Sequence, residues 1–339
     1  MLNVNWQSGG SWAVLGQSFA EALAKRVPVA VIGAKEVKPS KEAVTLNFSD
    51  WRASRWLPGR RVISYIAWET SRIPWLMGRS MRKLDHVWVP SSWQRQVFIE
   101  NGFSAGKIQV VPEGFDPAVF YPRQTQRTID SPFRFLMVGK WEERKALDVL
   151  IEGFAREFSS TENVELVLHA HNPFRYWHDP TREVRRLLNK LGLPDRRIRC
   201  VGKLPLAGVA DAYRQADAFV LPTRSEGWGL PILEAMGSGL PCIVTGHSGL
   251  MDFAHDGNAR LIRPESFVPV RDARFFNPLL NWGTWAQPDA THLRQLMRQL
   301  VNDPAGARAL GQTAHAEAIA KWTWDHAADE ALRQLERLD

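Results

Sequence analysis

Residues 218–237 read Ala218-Phe-Val-Leu221-Pro222-Thr-Arg-Ser-Glu226-Gly227-Trp228-Gly229-Leu230-Pro231-Ile-Leu-Glu234-Ala-Met-Gly237. Four apolar residues, Ala218–Leu221, suit a buried strand, and Leu230–Gly237 suits a helix. Pro231 sits near the first helical position, where its missing N–H costs little. The turn between them therefore offers free backbone N–H groups at a helix N-terminus. Those groups and the helix dipole attract an anion such as a diphosphate. Gly227 and Gly229 let the backbone come close to it. Glu226 precedes the helix and Glu234 lies within its first turns, and either carboxylate can accept hydrogen bonds from sugar hydroxyls.

Outward from this stretch the same strand–turn–helix rhythm repeats. Strands are expected at Leu2–Trp6, Pro28–Gly33, Ala43–Phe48, Val62–Ala67, His86–Pro90 and Ile108–Pro112, and again at Phe133–Gly139, Val164–Ala170, Ile198–Gly202, Ala218–Pro222, Pro241–Thr245 and Ala259–Ile262. Helices are expected at Ser11–Lys25, Trp75–Leu84, Ser92–Asn101, Lys145–Phe158, Arg182–Leu191, Gly208–Gln215 and Leu230–Gly237, with a helical tail from about Ala290 to Leu338. Near-continuous apolar strands alternating with amphipathic stretches indicate α/β architecture with parallel sheets covered on both faces. The alternation breaks at residues 117–132, which are polar and carry three prolines, and this reads as a linker. The expected domains are 1–122, joined by a closing helix at about 322–339, and 123–321. Two such Rossmann-like sheets facing each other would form a cleft at the carboxyl ends of their strands, where ligands of this architecture bind.

The 339 residues suit two α/β domains, and 45% hydrophobic with 23% charged residues is a soluble globular composition. No run has the length of a membrane span. The N-terminus lacks a basic segment followed by an apolar one, so a cytoplasmic protein without a signal peptide is expected. Cys200 and Cys242 sit in apolar runs and read as reduced thiols. The net charge of +7 comes from the first part of the chain. Its excess peaks between Asp50 and Lys83, where Arg52, Arg55, Arg60, Arg61, Arg72, Arg79 and Arg82 are interleaved with Trp51, Trp56, Trp68 and Trp75. Such a region can sit at an anionic membrane surface, hold a phosphorylated acceptor, or be a solvated face over a tryptophan-containing core. No nucleic-acid-binding module is present, so no nucleic-acid partner is expected.

The Glu226–Glu234 spacing, with Gly-x-Gly directly after the first glutamate, resembles family 4 of the retaining glycosyltransferases. The resemblance implies the GT-B fold: two Rossmann-like domains facing across a cleft, with a C-terminal helix returning to the N-terminal domain. It implies that Glu226 contacts the donor sugar, that Glu234 holds the ribose hydroxyls, and that amides of Gly227, Trp228, Gly229 and Leu230 bind the donor phosphates. In the family an arginine and a lysine after the first strand of the second domain neutralise the diphosphate. Lys140 and Lys145 occupy those positions here. Lys140 keeps the charge but loses the bidentate fork, and Ala146 replaces a usual glycine.

Further correspondences follow by position. Gly9 and Gly10 match the family's glycine loop near the donor phosphate and acceptor. Lys203 and Leu204 match the segment that meets the base. His169, His171 and Asn172 follow another strand end. Where many relatives carry a histidine, this chain has Trp68 and Glu69, which makes them the acceptor-side candidates. His247 and Asp252 lie where relatives often have a glutamate.

The implied reaction moves a hexosyl group from a UDP- or GDP-linked sugar to a hydroxyl of a glycan, glycolipid or small molecule. It keeps the anomeric configuration and uses no metal or other cofactor. The chain contains no Asp-x-Asp, which agrees with metal independence. The alternatives are a sugar-nucleotide epimerase or phosphorylase on the same fold, and a non-catalytic or donor-binding partner subunit of another glycosyltransferase.

Overall fold

The computed structural model describes residues 1–6, 10–33, 38–124, 131–172, 179–194 and 197–338. The chain divides into two compact units. The first comprises Met1–Gly114, Leu279–Gly283 and Trp322–Asp339, and the second Phe115–Pro278 and Thr284–Lys321.

The first unit holds a parallel sheet of β1 (Leu2–Trp6), β2 (Val29–Val31), β3 (Val44–Phe48), β4 (Arg61–Tyr65), β5 (His86–Val89) and β6 (Ile108–Val110), in the order β2-β1-β3-β4-β5-β6. Helices α1 (Gly10–Ala24), α2 (Trp75–Met81) and α3 (Ser92–Glu100) fall between the strands. One strip of the sheet is polar although fully buried. Asn3 donates to Thr45 Oγ1 at 3.0 Å, and Asn47 donates to Ser54 at 2.8 Å. These pairs satisfy groups that would otherwise be costly to bury.

The second unit holds β7 (Phe133–Lys140), β8 (Val164–His171), β9 (Ile198–Cys200), β10 (Ala218–Leu221), β11 (Cys242–Thr245) and β12 (Arg260–Ile262), in the order β12-β11-β10-β7-β8-β9. Helices α4 (Leu147–Glu157), α5 (Pro180–Lys190), α6 (Leu206–Gln215) and α7 (Leu230–Gly237) connect these strands. Every residue of β10 and β11 is buried, as expected for parallel strands covered on both faces. In this order the first and fourth strands, β7 and β10, are neighbours, and the sheet reverses its winding between them. The crevice outside their carboxyl ends is where such sheets bind ligands.

The tail forms α8 (Ala290–Asn302), α9 (Pro304–Lys321) and α10 (Trp324–Glu336). The last of these belongs to the first unit, as the expected return helix does. Ala327, Ala328 and Ala331 enter the core of the first sheet beside Phe19 and Leu23 of α1. Arg26 pairs with Asp325 at 2.9 Å and Asp329 at 2.5 Å. Gly114 permits this docking, because a β-carbon there would stand 2.3 Å from the Trp324 nitrogen.

Three local features differ from the sequence reading. The units divide at Gly114/Phe115, ahead of the proline-rich stretch, because Phe115 and Phe120 are buried in the second unit, Phe115 under Gly237 and Phe120 against Tyr213. The helix expected from Lys145 starts at Leu147. Residues Glu143–Lys145 form a 3-10 turn, and Ala146 (φ 50°, ψ 42°) is left-handed, which stops the turn from running into the helix. Finally, an antiparallel hairpin of β13 (Pro264–Pro269) and β14 (Thr284–Pro288) lies between β12 and α8. Prolines at the ends of both segments masked them as strands.

Candidate active site

The loops that leave β7 and β10 meet in the second unit. Glu226 is 4% exposed. One carboxylate oxygen lies 2.7 Å from Lys145 Nζ, and the other lies 2.9 Å from an Arg144 guanidinium nitrogen. Arg144 also donates to the Ser225 carbonyl at 2.7 Å and pairs with Glu142 at 2.8 Å. The Arg224 N–H donates to the Arg144 carbonyl at 2.7 Å, which closes one loop on the other. Lys145 reaches Glu226 across Gly139, where a β-carbon would be 3.6 Å from its Cε.

Burial is the largest influence on Glu226 and pushes its pKa upward. Arg144 and Lys145 together outweigh it and lower the carboxyl to about 2. The glutamate is therefore an anion throughout the neutral range. Arg144 escaped the sequence reading because family resemblance directed attention to its neighbour Lys145. Its position in the same turn was the available signal.

The backbone of Glu226 is held from a third loop, the one after β11. Ser248 Oγ accepts from the Glu226 N–H at 2.8 Å, and the Gly249 N–H donates to the Glu226 carbonyl at 3.0 Å. To make these bonds Ser248 adopts φ 71°, ψ −156°, a conformation that side chains disfavour. Sequence reasoning missed Ser248, since nothing in its local residues marks a strained backbone. His247, just before it, meets Phe267 of the hairpin edge-on at 5.2 Å.

The turn after Glu226 ends at Gly229, whose φ of 108° caps α7. The Gly229 and Leu230 N–H groups have no acceptor among the described residues. Trp228 is buried and tilts against Phe253 at 4.9 Å, so its side chain anchors the turn. Glu234, five positions into α7, is partly buried. Its carboxylate lies 2.9 Å from the Tyr213 hydroxyl, which also lies 3.0 Å from the Pro231 carbonyl. Burial raises the Glu234 pKa to about 7, and the Tyr213 hydrogen bond pulls the other way. The tyrosine has a single proton for two acceptors.

Lys140 closes β7 opposite His171 of β8, and Lys203 follows β9. The His171 pKa is lowered first by burial and then by Lys203 and Lys140. Lys140 at the end of β7 and Lys203 after β9 thus both bring positive charge near His171. Lys203 is exposed and Leu204 half-buried. His169 is buried with neither ring nitrogen bonded among the described residues, and burial lowers its pKa.

The remaining candidates belong to the first unit. Trp68 is buried, stacks on Trp282 at 5.7 Å and donates to the Arg72 carbonyl at 3.2 Å. Its ring is committed to packing and does not present a surface for an acceptor. Glu69 is half-exposed next to it. Gly10 opens α1, and Gly9 lies outside the described residues. In the basic tryptophan-rich segment Trp56, Trp75 and Leu76 are 80%, 64% and 63% exposed. Arg55 lies over Trp56 at 5.8 Å and Arg79 over Trp75 at 5.6 Å. Arg52, Arg55 and Lys83 line a cavity of about 370 Å³ there. No described helix is long and apolar enough to cross a membrane, and no group of three or more metal-ligating side chains occurs among the described residues.

Comparison with known proteins places this arrangement. Residues 132–274 match the model of the family described as glycosyl transferases group 1. The mannosylfructose-phosphate synthase of Agrobacterium fabrum is 31% identical over 179 residues, which cover 50% of this chain and 39% of that protein. A D-inositol 3-phosphate glycosyltransferase of Acidothermus cellulolyticus is 27% identical over 241 residues, 68% of this chain and 50% of that one. The chain therefore spans at most about half the length of these curated relatives. The crystal structure of Anabaena HepE in complex with UDP-glucose superposes with a TM-score of 0.74 at 14% identity, covering 99% of both chains, and this likeness is one of fold. Residues 132–274 are thus similar to the glycosyl transferases group 1 family, and the chain has the two-domain α/β fold of the GT-B structures it resembles.

Proposed function

We propose that the chain is a retaining glycosyltransferase that moves a hexosyl group from a nucleoside diphosphate sugar, UDP- or GDP-linked, to a hydroxyl acceptor. The observation that carries this reading is the Lys145–Glu226–Arg144 cluster at the reversal point of the second sheet, beside amides of a helix N-terminus that lack acceptors. Relatives named as glycosyltransferases, and a similarly folded protein solved with UDP-glucose, support the donor class.

In this reading Glu226 accepts hydrogen bonds from the donor sugar, and Glu234 accepts from the ribose. The diphosphate lies against Lys140, Lys145 and the Gly227–Leu230 amides. Lys203 and Leu204 flank the base. As the sugar departs, negative charge grows on the diphosphate. Preorganised N–H donors and ammonium groups stabilise that charge, and removing one such donor typically costs about 3 kcal/mol of barrier. Lys145 and Arg144 are already balanced by Glu226 and Glu142, and Lys140 and Lys203 supply further positive charge. The leaving diphosphate oxygen takes the acceptor proton on the same face of the sugar, so no protein nucleophile is required. With this charge supplied by the protein, the proposed reaction needs no metal. Glu69 is the acceptor-side polar candidate, and Gly9 and Gly10 are assigned to the phosphate loop of the first unit.

The alternative, a donor-binding subunit without turnover, shares the same site and differs in its products. The exposed tryptophans and arginines of residues 50–83 favour contact with an anionic membrane surface by a cytoplasmic protein. A thermal-shift screen against UDP, GDP, ADP and their sugars tests the donor site. A ligand at about 100 times its Kd adds about 2.7 kcal/mol to stability. Release of free hexose or its transfer from the stabilising donor then separates enzyme from binding subunit. No stabilisation by any of these nucleotides would overturn the assignment.

A further inference from the structure

The β13–β14 hairpin borders a cavity in the second unit. It has a volume of about 550 Å³ and lies between the hairpin and the segment from Trp141 to Asp148, within the size range of small-molecule sites. Lys145 and Glu226 are not among its walls.

Its frame is rigid. Ala286 of β14 donates to the Arg224 carbonyl at 3.1 Å. Asp272, 1% exposed, accepts from the Glu143 N–H at 3.2 Å and from Arg274 at 2.8 Å. Trp285 is buried and Trp141 half-buried, and both line the cavity. Most of the charges around it are already matched. Arg224 pairs with Asp148 at 2.9 Å, Arg274 with Asp272 at 2.8 Å, and Glu142 with Arg144 at 2.8 Å.

Three lining groups remain. The Glu143 carboxyl, the Arg271 guanidinium and the side-chain N–H₂ of Gln287 make no hydrogen bond or ion pair among the described residues. They comprise one acceptor and two donors, with no net charge, in a space bordered by Trp141 and Trp285. An apolar ligand would leave all three unpaired, and an anion would meet Glu143 as well as Arg271. A polyhydroxylated ligand satisfies both signs of hydrogen bond and can lay a C–H face on the half-buried Trp141.

We propose that this cavity is a saccharide-binding subsite for a hexose or short oligosaccharide, occupied without nucleotide. It does not depend on the donor reading above. The test is saturation-transfer NMR on the full chain with glucose, mannose, N-acetylglucosamine and maltose, without nucleotide. Arg271→Ala and Glu143→Gln serve as variants, and their thermal unfolding is checked against wild type. At least one saccharide is expected to bind. Each variant is expected to weaken it roughly tenfold, as loss of one charge-assisted hydrogen bond does, while UDP binding stays at the wild-type level. Absence of binding by all four sugars, or binding that neither variant weakens, overturns the proposal. Saccharide binding by a chain that binds no nucleotide would support this subsite and count against the donor site alone.

Discussion

Lys145 Nζ and Glu226 Oε1 lie 2.7 Å apart on loops that leave adjacent strands, although 81 positions separate the two residues in the chain. The pair is buried and shares Glu226 with Arg144. Such a cluster is costly to break, since removing one partner leaves a buried charge uncompensated, at about 3–5 kcal/mol.

Lys145→Met is therefore expected to lower both stability and turnover. Arg144 remains to hold Glu226, so the protein should still fold. Transfer from the stabilising nucleotide sugar should fall by at least about tenfold. Glu226→Gln should fold better than Glu226→Ala, because the amide still offers an oxygen to the two cations. Steady-state kinetics beside urea denaturation checks both, and wild-type turnover in either Lys145→Met or Glu226→Gln would contradict the roles assigned.

Two glutamates of one motif should give opposite pH dependences of stability. Glu226 has a folded pKa of about 2, below its ordinary value of 4.5. Its contribution, about 3 kcal/mol, is complete above the unfolded pKa and is lost as pH falls toward 2. Glu234 has a folded pKa of about 7, above 4.5. The folded state then binds more protons than the unfolded chain between these values, so stability declines as pH rises from about 4.5 to 7. Urea denaturation across pH should show a shallower decline in Glu234→Gln than in wild type. An unchanged slope would mean that Glu234 titrates normally.

At Ser248 strain and hydrogen bonding can be separated. Ser248→Ala keeps the unfavourable φ and removes the acceptor of the Glu226 N–H. Ser248→Gly removes the acceptor too but relieves the backbone. The glycine variant should be the more stable of the two by about 1–2 kcal/mol. The reverse order in equilibrium unfolding would show that the conformation carries no strain.

Docking of α10 should depend on the missing side chain of residue 114. Gly114→Ala places a methyl against Thr323 and Trp324, and overpacking of this kind typically costs about 1–3 kcal/mol. A midpoint of unfolding equal to that of wild type would show that the segment shifts freely.

For the exposed tryptophans of the first unit, co-sedimentation with vesicles is the measurement. The chain should bind vesicles containing phosphatidylserine and leave those of phosphatidylcholine alone. Arg52→Glu with Arg55→Glu should abolish binding, and binding that survives this charge reversal would argue against the membrane reading.

The twelve strands of the two parallel sheets were legible in the chain because most read as short apolar runs bounded by Gly, Pro or polar residues, even where a buried polar strip (Asn3, Thr45, Asn47) or the more exposed β9 interrupts the pattern. The strand–turn–helix around Glu226 was legible for the same reason, and the family resemblance rests on it. Trp68 shows where composition misleads: an indole among arginines suggests a surface, yet it stacks on Trp282, more than two hundred positions away. The hairpin stayed hidden because prolines disguise its strands, and with it the cavity that it borders. Arg144 as the second partner of Glu226, and Ser248 as its backbone clamp, depend on which loops the strand order brings together. That order is settled by packing between distant segments, and local sequence carries no record of it.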